Sequence, residues 1–436
     1  MRLFDDMQDR GLVVDATTYN AAIGACAAGG LWQRALRLMY DMQVQGIPAT
    51  TTMYNTAIFV CEKCGRRQEA LRLFEDMEET GVPGDALTYK LAINAWSKDG
   101  QWQRVMQLMA DLADKGFSAD TTTYNTAITA CRKRSQWQHA LLLFEDMQSK
   151  GVLADTTTYN AALRACKKGG QWQRAIQMLQ EMEAKGIHAN TMSYNTAIRS
   201  CKDDGQWQQG LRLLEQMVSK GLPTDDNTYH AAMSTCQKGG QWKKALELME
   251  EMQSKGIPPT ILVYNAVIST CERGGQWQRA LRLMQAMQEK GFAPNIMTYS
   301  AAINACEKAG QWQRALQLFA DMEIQGVAAD TITYNGAISA CAKGGQWRRA
   351  MMLMSDMQNK EVPTDTTTYN SALRALINGG QLHCAKLLMD DMQVKGIPPD
   401  TVTYNTTIGA FEKGGQWQQA LQLMAEMEDK QVPLDI

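Results

Sequence analysis

No stretch of this 436-residue chain holds more than a few apolar residues in succession, which excludes a membrane-spanning helix. Histidine is scarce: His139, His188, His230 and His383 stand singly, too scattered for a metal or acid–base constellation. The lone Cys-x-x-Cys, Cys61 to Cys64, has no second half, so no zinc site is expected. Also missing are a defensible Ser-His-Asp order, a phosphate-cradling loop after a strand, and the His-x-Glu spacing of zinc deaminases. The chain is therefore not read as an enzyme, and no cofactor or metal is expected. An excess of one charge is absent as well. With 44 basic and 46 acidic residues, composition neither demands nor excludes an anionic partner. Low-complexity disorder is excluded because every window carries an apolar stripe.

What the chain does have is a period. One pattern returns every 35 residues without insertion, giving twelve units: 16–50, 51–85, 86–120, 121–155, 156–190, 191–225, 226–260, 261–295, 296–330, 331–365, 366–400 and 401–435. The opening residues 1–15 read as the second helix of an earlier unit, with Phe4 and Met7 where Met39 and Met42 fall. This predicts a fragment that begins mid-unit. In the unit 16–50, Tyr19, Ala22, Ile23 and Cys26 form one amphipathic stripe, and Thr17 and Thr18 stand where an N-cap is needed. Gly29-Gly30 breaks that helix. Trp32, Ala35, Leu36, Met39 and Met42 form a second stripe, stopped by Gly46 and Pro48. Each unit is thus a helical hairpin with no strand. A single hairpin cannot bury both stripes, whereas a tandem stack can, which predicts an all-α solenoid of helix-turn-helix hairpins.

Nine cysteines (Cys26, Cys61, Cys131, Cys166, Cys201, Cys236, Cys271, Cys306, Cys341) recur at one place in the unit. Equivalent atoms in stacked helices lie roughly 8–10 Å apart. A disulfide needs Cα atoms within about 7 Å. These are expected to be reduced core thiols. Tryptophan opens the second helix in ten units, continuing its apolar stripe, and is read as core packing rather than as a base-stacking platform; the methionine that ends the stripe in eleven is read as filler between units.

Charge is in register too. A basic residue precedes the turn in nine units: Lys63, Lys98, Lys133, Lys168, Lys238, Arg273, Lys308, Lys343 and Lys413. An acid stands near the end of the second helix in ten, among them Asp41, Asp76, Asp146, Glu251 and Asp391. A lysine at a helix C-terminus complements the dipole, but a nine-fold row suits a polyanion better. The residue after the tyrosine is asparagine in nine units and points off the apolar stripe. An amide, with both donor and acceptor, is what reading a base edge requires.

With Thr-Tyr-Asn opening the first helix, Gly-x-x-x-x-Ala-Leu opening the second, and a closing Gly-Ile-x-x-Asp, the unit resembles the pentatricopeptide repeat of the class built only from 35-residue units. That resemblance implies a right-handed superhelical α-solenoid whose first helices line a concave groove binding single-stranded RNA, one base per repeat. The base-reading pairs it implies are Asn20/Thr50, Asn55/Asp85, Lys90/Asp120, Asn125/Asp155, Asn160/Asn190, Asn195/Asp225, His230/Thr260, Asn265/Asn295, Ser300/Asp330, Asn335/Asp365, Asn370/Asp400 and Asn405/Asp435. The basic row matches the family's phosphate-contacting lysines. In the family, Asn/Asp prefers uridine, Asn/Asn a pyrimidine, and Ser/Asp guanosine. The implied target is a pyrimidine-rich single strand of about 12 nucleotides, Y-U-N-U-C-U-N-C-G-U-U-U. A family valine that sandwiches the bases is matched by threonine at Thr17, Thr52, Thr122, Thr157 and Thr367 and by assorted apolar residues elsewhere, which implies weaker stacking in the threonine units. The resemblance also implies a chloroplast or mitochondrial protein acting in RNA processing, stability, splicing, editing or translation. A protein-binding solenoid scaffold is the alternative.

Overall fold

Each first helix starts at the residue that closes the preceding unit. Asp155 caps Thr156–Lys168, its carboxylate accepting from the Thr158 N–H at 2.7 Å, while the Thr158 hydroxyl accepts from the Asp155 N–H at 3.2 Å. This reciprocal box recurs at Asp85, Asn190, Asp225, Asn295, Asp365 and Asp400. The N-cap is therefore not the threonine pair. Asp15, not Thr17 or Thr18, caps the helix Ala16–Gly29. Aspartate and threonine both cap well, and sequence alone does not choose between neighbours.

The computed structural model describes residues 14–133, 136–202, 204–430 and 432–433, which leaves the Phe4–Met7 half-unit and Asp435 outside the described residues. It divides into two bodies, one through Cys201 and one from Lys202, the division falling inside the unit 191–225. The first body contains Ala16–Gly29, Trp32–Val44, Thr51–Lys63, Arg67–Glu79, Ala86–Asp99, Trp102–Asp114, Thr121–Lys133, Trp137–Ser149, Thr156–Lys168, Trp172–Ala184 and Thr191–Ser200. The second contains Trp207–Ser219, Asp226–Lys238, Trp242–Ser254, Ile261–Arg273, Trp277–Glu289, Ile296–Lys308, Trp312–Ile324, Thr331–Lys343, Trp347–Asn359, Thr366–Asn378, Leu382–Val394, Thr401–Lys413 and Trp417–Asp429. The described residues contain no strand. Both bodies are all-α stacks of helical hairpins. Most first helices end at the basic residue before the turn, as the pattern predicts. Thr191–Ser200 stops three residues early, where Asp203 and Asp204 would put negative charge at the helix's negative end.

The core is shared between successive hairpins. In the second body, Ile338, Cys341 and Met354 of one hairpin pack in a single cluster with Tyr369, Leu373, Leu376 and Met392 of the next. Each fully buried methionine of this kind contributes about 1.5–3 kcal/mol. The first-helix stripe Tyr19, Ala22, Ile23, Cys26 is buried as expected; on the second helix Leu38, rather than Leu36, joins Ala35, Met39 and Met42. The nine recurrent cysteines are buried and unbridged, and burial pushes the Cys61 thiol up to about 12.

The recurrent tryptophans other than the exposed Trp417 are half-buried, and their place is the joint between hairpins. A Cβ at Gly344 would meet the Trp312 indole of the preceding hairpin at 2.5 Å, and one at Gly379 would meet Trp347 at 2.3 Å. The first glycine of the turn is thus small because a ring lies on it. The second has another reason: Gly345, at φ 65°, is left-handed. Arg349 covers the Trp312 ring, its guanidinium 5.2 Å from the ring centre.

Candidate nucleic-acid interface

The closing residue of a unit and the amide that follows the tyrosine lie 30 positions apart in sequence and meet in space. Capping fixes the closing residue at the start of the next first helix. In several units the threonine that opens the first helix ties the segment leading to the closing residue: Thr51 donates to the Pro83 carbonyl at 2.8 Å, Thr121 to that of Leu153 at 2.8 Å, and Thr331 to that of Pro363 at 2.7 Å. Within this frame Asn55 Nδ2 donates to Asp85 Oδ1 at 3.0 Å, Asn125 to Asp155 at 3.3 Å, Asn335 to Asp365 at 3.0 Å and Asn370 to Asp400 at 3.1 Å. Asn265 donates to Asn295 Oδ1 at 3.2 Å. Lys90 and Asp120 form an ion pair at 2.9 Å. Asn160 and Asn190 are joined through the Ser193 hydroxyl, 2.7 Å from one carbonyl oxygen and 3.1 Å from the other.

Other pairs are not brought together this way. No direct hydrogen bond links Asn20 with Thr50 or Ser300 with Asp330; Asn20 accepts from Thr56 instead. The His230 ring lies 3.4 Å from the Ser234 hydroxyl, and Thr260 caps the following helix without a side-chain bond. Asn195 belongs to the first body and Asp225 to the second. Asn405 is exposed, and its companion Asp435 lies outside the described residues.

The amides sit deeper than their position off the apolar stripe implies. Asn55 is 5% exposed and Asn265 3% exposed, with Asn160 similarly buried, because the next first helix packs over them. Burial alone would raise the Asp85 carboxyl. The Thr88 N–H, the Asn55 amide and the Thr88 hydroxyl outweigh it and hold the group below its ordinary value; Asp155, Asp365 and Asp400 are lowered in the same way. These carboxylates are acceptors at neutral pH.

One helical turn before the amide, the same face carries side chains that the core does not use. Leu87, Met192, Leu262, Met297, Ile332 and Val402 each precede a predicted reader by three residues, and all are exposed, Leu87 at 52% and Ile332 at 62%. Thr17, Thr52, Thr122, Thr157 and Thr367 occupy the equivalent exposed places.

The basic row is exposed wherever it is described; the Lys133 side chain is outside the described residues. It is not uniform. Lys98 pairs with Glu62 at 2.7 Å, Lys308 with Glu272 at 2.8 Å and Lys343 with Glu307 at 2.9 Å, in each case a glutamate from the preceding first helix. Among the described residues, Lys63, Lys168, Arg273 and Lys413 hold no ion pair. The glutamates immediately before Lys63, Arg273 and Lys308 were the available signal for this pairing, and sequence reading passed over them.

The acidic row turns back onto its own hairpin. Asp76 accepts from the Tyr54 hydroxyl at 2.7 Å, Asp146 from Tyr124 at 2.6 Å, Asp356 from Tyr334 at 2.6 Å and Asp391 from Tyr369 at 2.7 Å. A cleft of about 370 Å³ in the second body is lined by Leu211, Leu214, Val218, Lys244 and neighbours, all on second helices and none a predicted reader. Among the described residues no cluster of three or more His, Cys, Asp and Glu is placed to hold a metal, and no helix is long and apolar enough to cross a membrane.

Comparison with known proteins places this arrangement. Residues 114–298 match the family model of the pentacotripeptide-repeat region of PRORP. Residues 49–95 and the overlapping segments 294–343, 329–378, 364–413 and 399–436 match the PPR repeat family, and residues 2–61 match the pentatricopeptide repeat domain. No curated protein sequence matches. Among solved structures, the chain is similar to the pentatricopeptide repeat protein PPR10 from maize, with 22% identity and a TM-score of 0.60 over 100% of this chain and 72% of that one. It is also similar to PPR10 in complex with an 18-nt psaJ RNA element, at 21% identity and a TM-score of 0.59 with the same coverage. At such identity the likeness is one of fold. Tiled by these family models along nearly its whole length, the chain belongs to the pentatricopeptide repeat family.

Proposed function

We propose that this protein is a sequence-selective binder of single-stranded RNA that takes about one base per repeat and performs no catalysis of its own. The observation that carries the reading is the amide–carboxyl pair rebuilt at successive first helices, at 3.0 to 3.3 Å in four Asn/Asp units. Each pair sits one helical turn from an exposed apolar or threonine side chain. A base offers a hydrogen-bonding edge for the first and a flat apolar face for the second. The exposed basic row supplies attraction for the phosphates without regard to sequence.

The letters follow from the pairs. Asn55/Asp85, Asn125/Asp155, Asn195/Asp225, Asn335/Asp365, Asn370/Asp400 and Asn405/Asp435 take uridine, Asn160/Asn190 and Asn265/Asn295 a pyrimidine, and Ser300/Asp330 guanosine. The target is a pyrimidine-rich strand of about 12 nucleotides. Work in a chloroplast or mitochondrion, in the processing, stability, splicing, editing or translation of a transcript, is part of the same proposal and rests on the family.

The relative solved with an 18-nt RNA element supports the choice of ligand class. An electrophoretic shift comparing uridine-rich with adenosine-rich single strands tests it. Preferential retardation of the uridine-rich strand is expected. Indifference to both would overturn the reading in favour of a protein-binding scaffold.

A further inference from the structure

Units with the same amide–carboxyl pair are not equivalent in their third partner. The threonine or serine that completes the capping box of the following helix can turn its hydroxyl to either of two acceptors. In some units it has both within reach, the reader amide and its own capping oxygen: Thr88 lies 2.7 Å from Asn55 Oδ1 and 3.0 Å from Asp85, Ser193 2.7 Å from Asn160 and 3.1 Å from Asn190, Thr298 2.6 Å from Asn265 and 3.1 Å from Asn295, and Thr403 2.7 Å from both Asn370 and Asp400. In others it does not. Thr158 and Thr368 donate only to their own capping carboxylates, Asp155 and Asp365, at 2.8 Å. The carbonyl oxygens of Asn125 and Asn335 are then left buried without any hydrogen-bond partner.

A buried carbonyl with no donor is costly, and it is relieved by whatever donor arrives. A hydroxyl can donate only once. Where the amide is within its reach, the hydroxyl can satisfy the carbonyl and hold it inward, and the amide shows a ligand its remaining N–H. Where it is spent on the carboxylate, the amide keeps an unsatisfied acceptor and is free to turn it outward.

We propose that this hydroxyl is a third, positioning determinant of base choice: Thr88, Ser193, Thr298 and Thr403 latch their readers into donors, while Asn125 and Asn335 remain open to a donor from the base. This rests on the RNA-binding reading above. The two pyrimidines differ where it matters, since uracil presents an N3–H donor and cytosine an N3 acceptor. An open amide therefore separates uridine from cytidine more sharply than a latched one, although the residue pair is identical.

Adjacent units in the second body provide the test. Asn335/Asp365 is open and Asn370/Asp400 latched. Competition binding on the wild-type chain, with uridine exchanged for cytidine at one letter or the other, should show discrimination greater at the Asn335 letter by about two- to tenfold, the equivalent of one net hydrogen bond. Thr403→Val should raise discrimination at the Asn370 letter to match it, and Thr403→Ser, which keeps the hydroxyl, should restore the wild-type value. Thr368→Val loses the same capping hydroxyl without a latch, and should leave the Asn335 letter unchanged. Equal discrimination at the two letters in the wild type, or equal effects of the two valine substitutions, would overturn the proposal while leaving RNA binding intact. Absence of binding to any uridine-rich strand would instead remove the functional reading on which it stands.

Discussion

The acidic and basic rows are equally regular in the sequence, yet they end in different physical situations. An acid near the end of the second helix finds a tyrosine hydroxyl 22 residues back in its own hairpin, and often a lysine four residues on: Lys150 reaches Asp146 at 2.9 Å and Lys395 reaches Asp391 at 3.0 Å. Among the described members of the basic row, Lys63, Lys168, Arg273 and Lys413 hold no ion pair, and Lys98, Lys308 and Lys343 each meet a glutamate 36 residues back. The first row closes each hairpin. The second stays exposed at the surface, as the proposed attraction for phosphates requires. Regular spacing reveals that a residue matters to the unit, but only its partner reveals whether it serves folding or binding.

Titrating the acidic row as a whole is the strongest way to sharpen that contrast. Burial would raise Asp146 and Asp391, but their tyrosine hydroxyls and lysines outweigh it, and in Asp356 the Tyr334 hydroxyl dominates; all three lie below the ordinary 3.8. The closing aspartates are held down as well. A carboxyl lower in the folded state contributes stability that is fully present above its unfolded value and is lost as pH falls through the folded one. The urea midpoint should therefore be flat near neutrality and collapse below pH 3.8. On the alkaline side burial and Asp356 push Tyr334 from 10.0 up to about 12, so its contribution is present below pH 10 and lost between there and about pH 12. A midpoint unchanged down to pH 2, about two units below the free carboxyl, would break the comparison.

Single members of the row come next. Asp146→Leu, Asp356→Leu or Asp391→Leu strips the acceptor from a tyrosine hydroxyl and should cost about 1–3 kcal/mol each in urea unfolding. Affinity for a uridine-rich strand, measured where the variants remain folded, should not move. A loss of affinity without a loss of stability would mean that the acids serve the ligand.

The basic row should behave in the opposite way. Replacing Lys63, Lys168, Arg273 and Lys413 by alanine should weaken binding to every oligonucleotide alike and lower the salt slope by up to about 0.7 per lost phosphate contact. Stability should stay within about 0.5 kcal/mol. Replacing Lys98, Lys308 and Lys343, which are already paired, should lower the slope less. Equal slopes for the two sets would show that the glutamates do not compete with phosphate.

The smallest effect is the reverse experiment. Glu62→Gln, Glu272→Gln and Glu307→Gln together release three lysines, each from a partly exposed pair of the kind worth about 0–1 kcal/mol. Binding should tighten modestly at low salt and become steeper in salt dependence, as read by titration at several ionic strengths. No change in slope would mean that those lysines lie off the path of the strand.

The architecture was legible because its signals are local. Tyr19, Ala22, Ile23 and Cys26 lie within two turns, and helical spacing marks their face without reference to anything distant. The turns were legible for the same reason. The N-cap was placed wrongly because Asp15 and Thr17 both have capping chemistry and differ only in backbone position. The site was legible in composition and not in geometry. That Asn55 is buried depends on Thr88, 33 residues later, and that Lys98 is neutralised depends on Glu62, 36 residues earlier. The tryptophans were half understood: their apolar character was plain, but the surface they cover is the Gly-Gly turn of the neighbouring hairpin, which a single-unit reading does not contain.

The closing aspartate has a consequence for how such a protein can be cut and rejoined. Asp85, Asp365 and Asp400 are written as the last residue of one unit but are held as the first capping residue of the next helix, within reach of the previous helix's amide. A module that recognises one letter is therefore displaced from the written repeat: it runs from the amide of one first helix to the third residue of the following one, with a complete second helix between. Chimeras spliced at the written boundary separate Asp365 from the helix that it caps. Chimeras spliced inside a second helix, between its tryptophan and its methionine, keep amide, carboxylate and hydroxyl together, and are the exchanges in which a letter should travel unchanged.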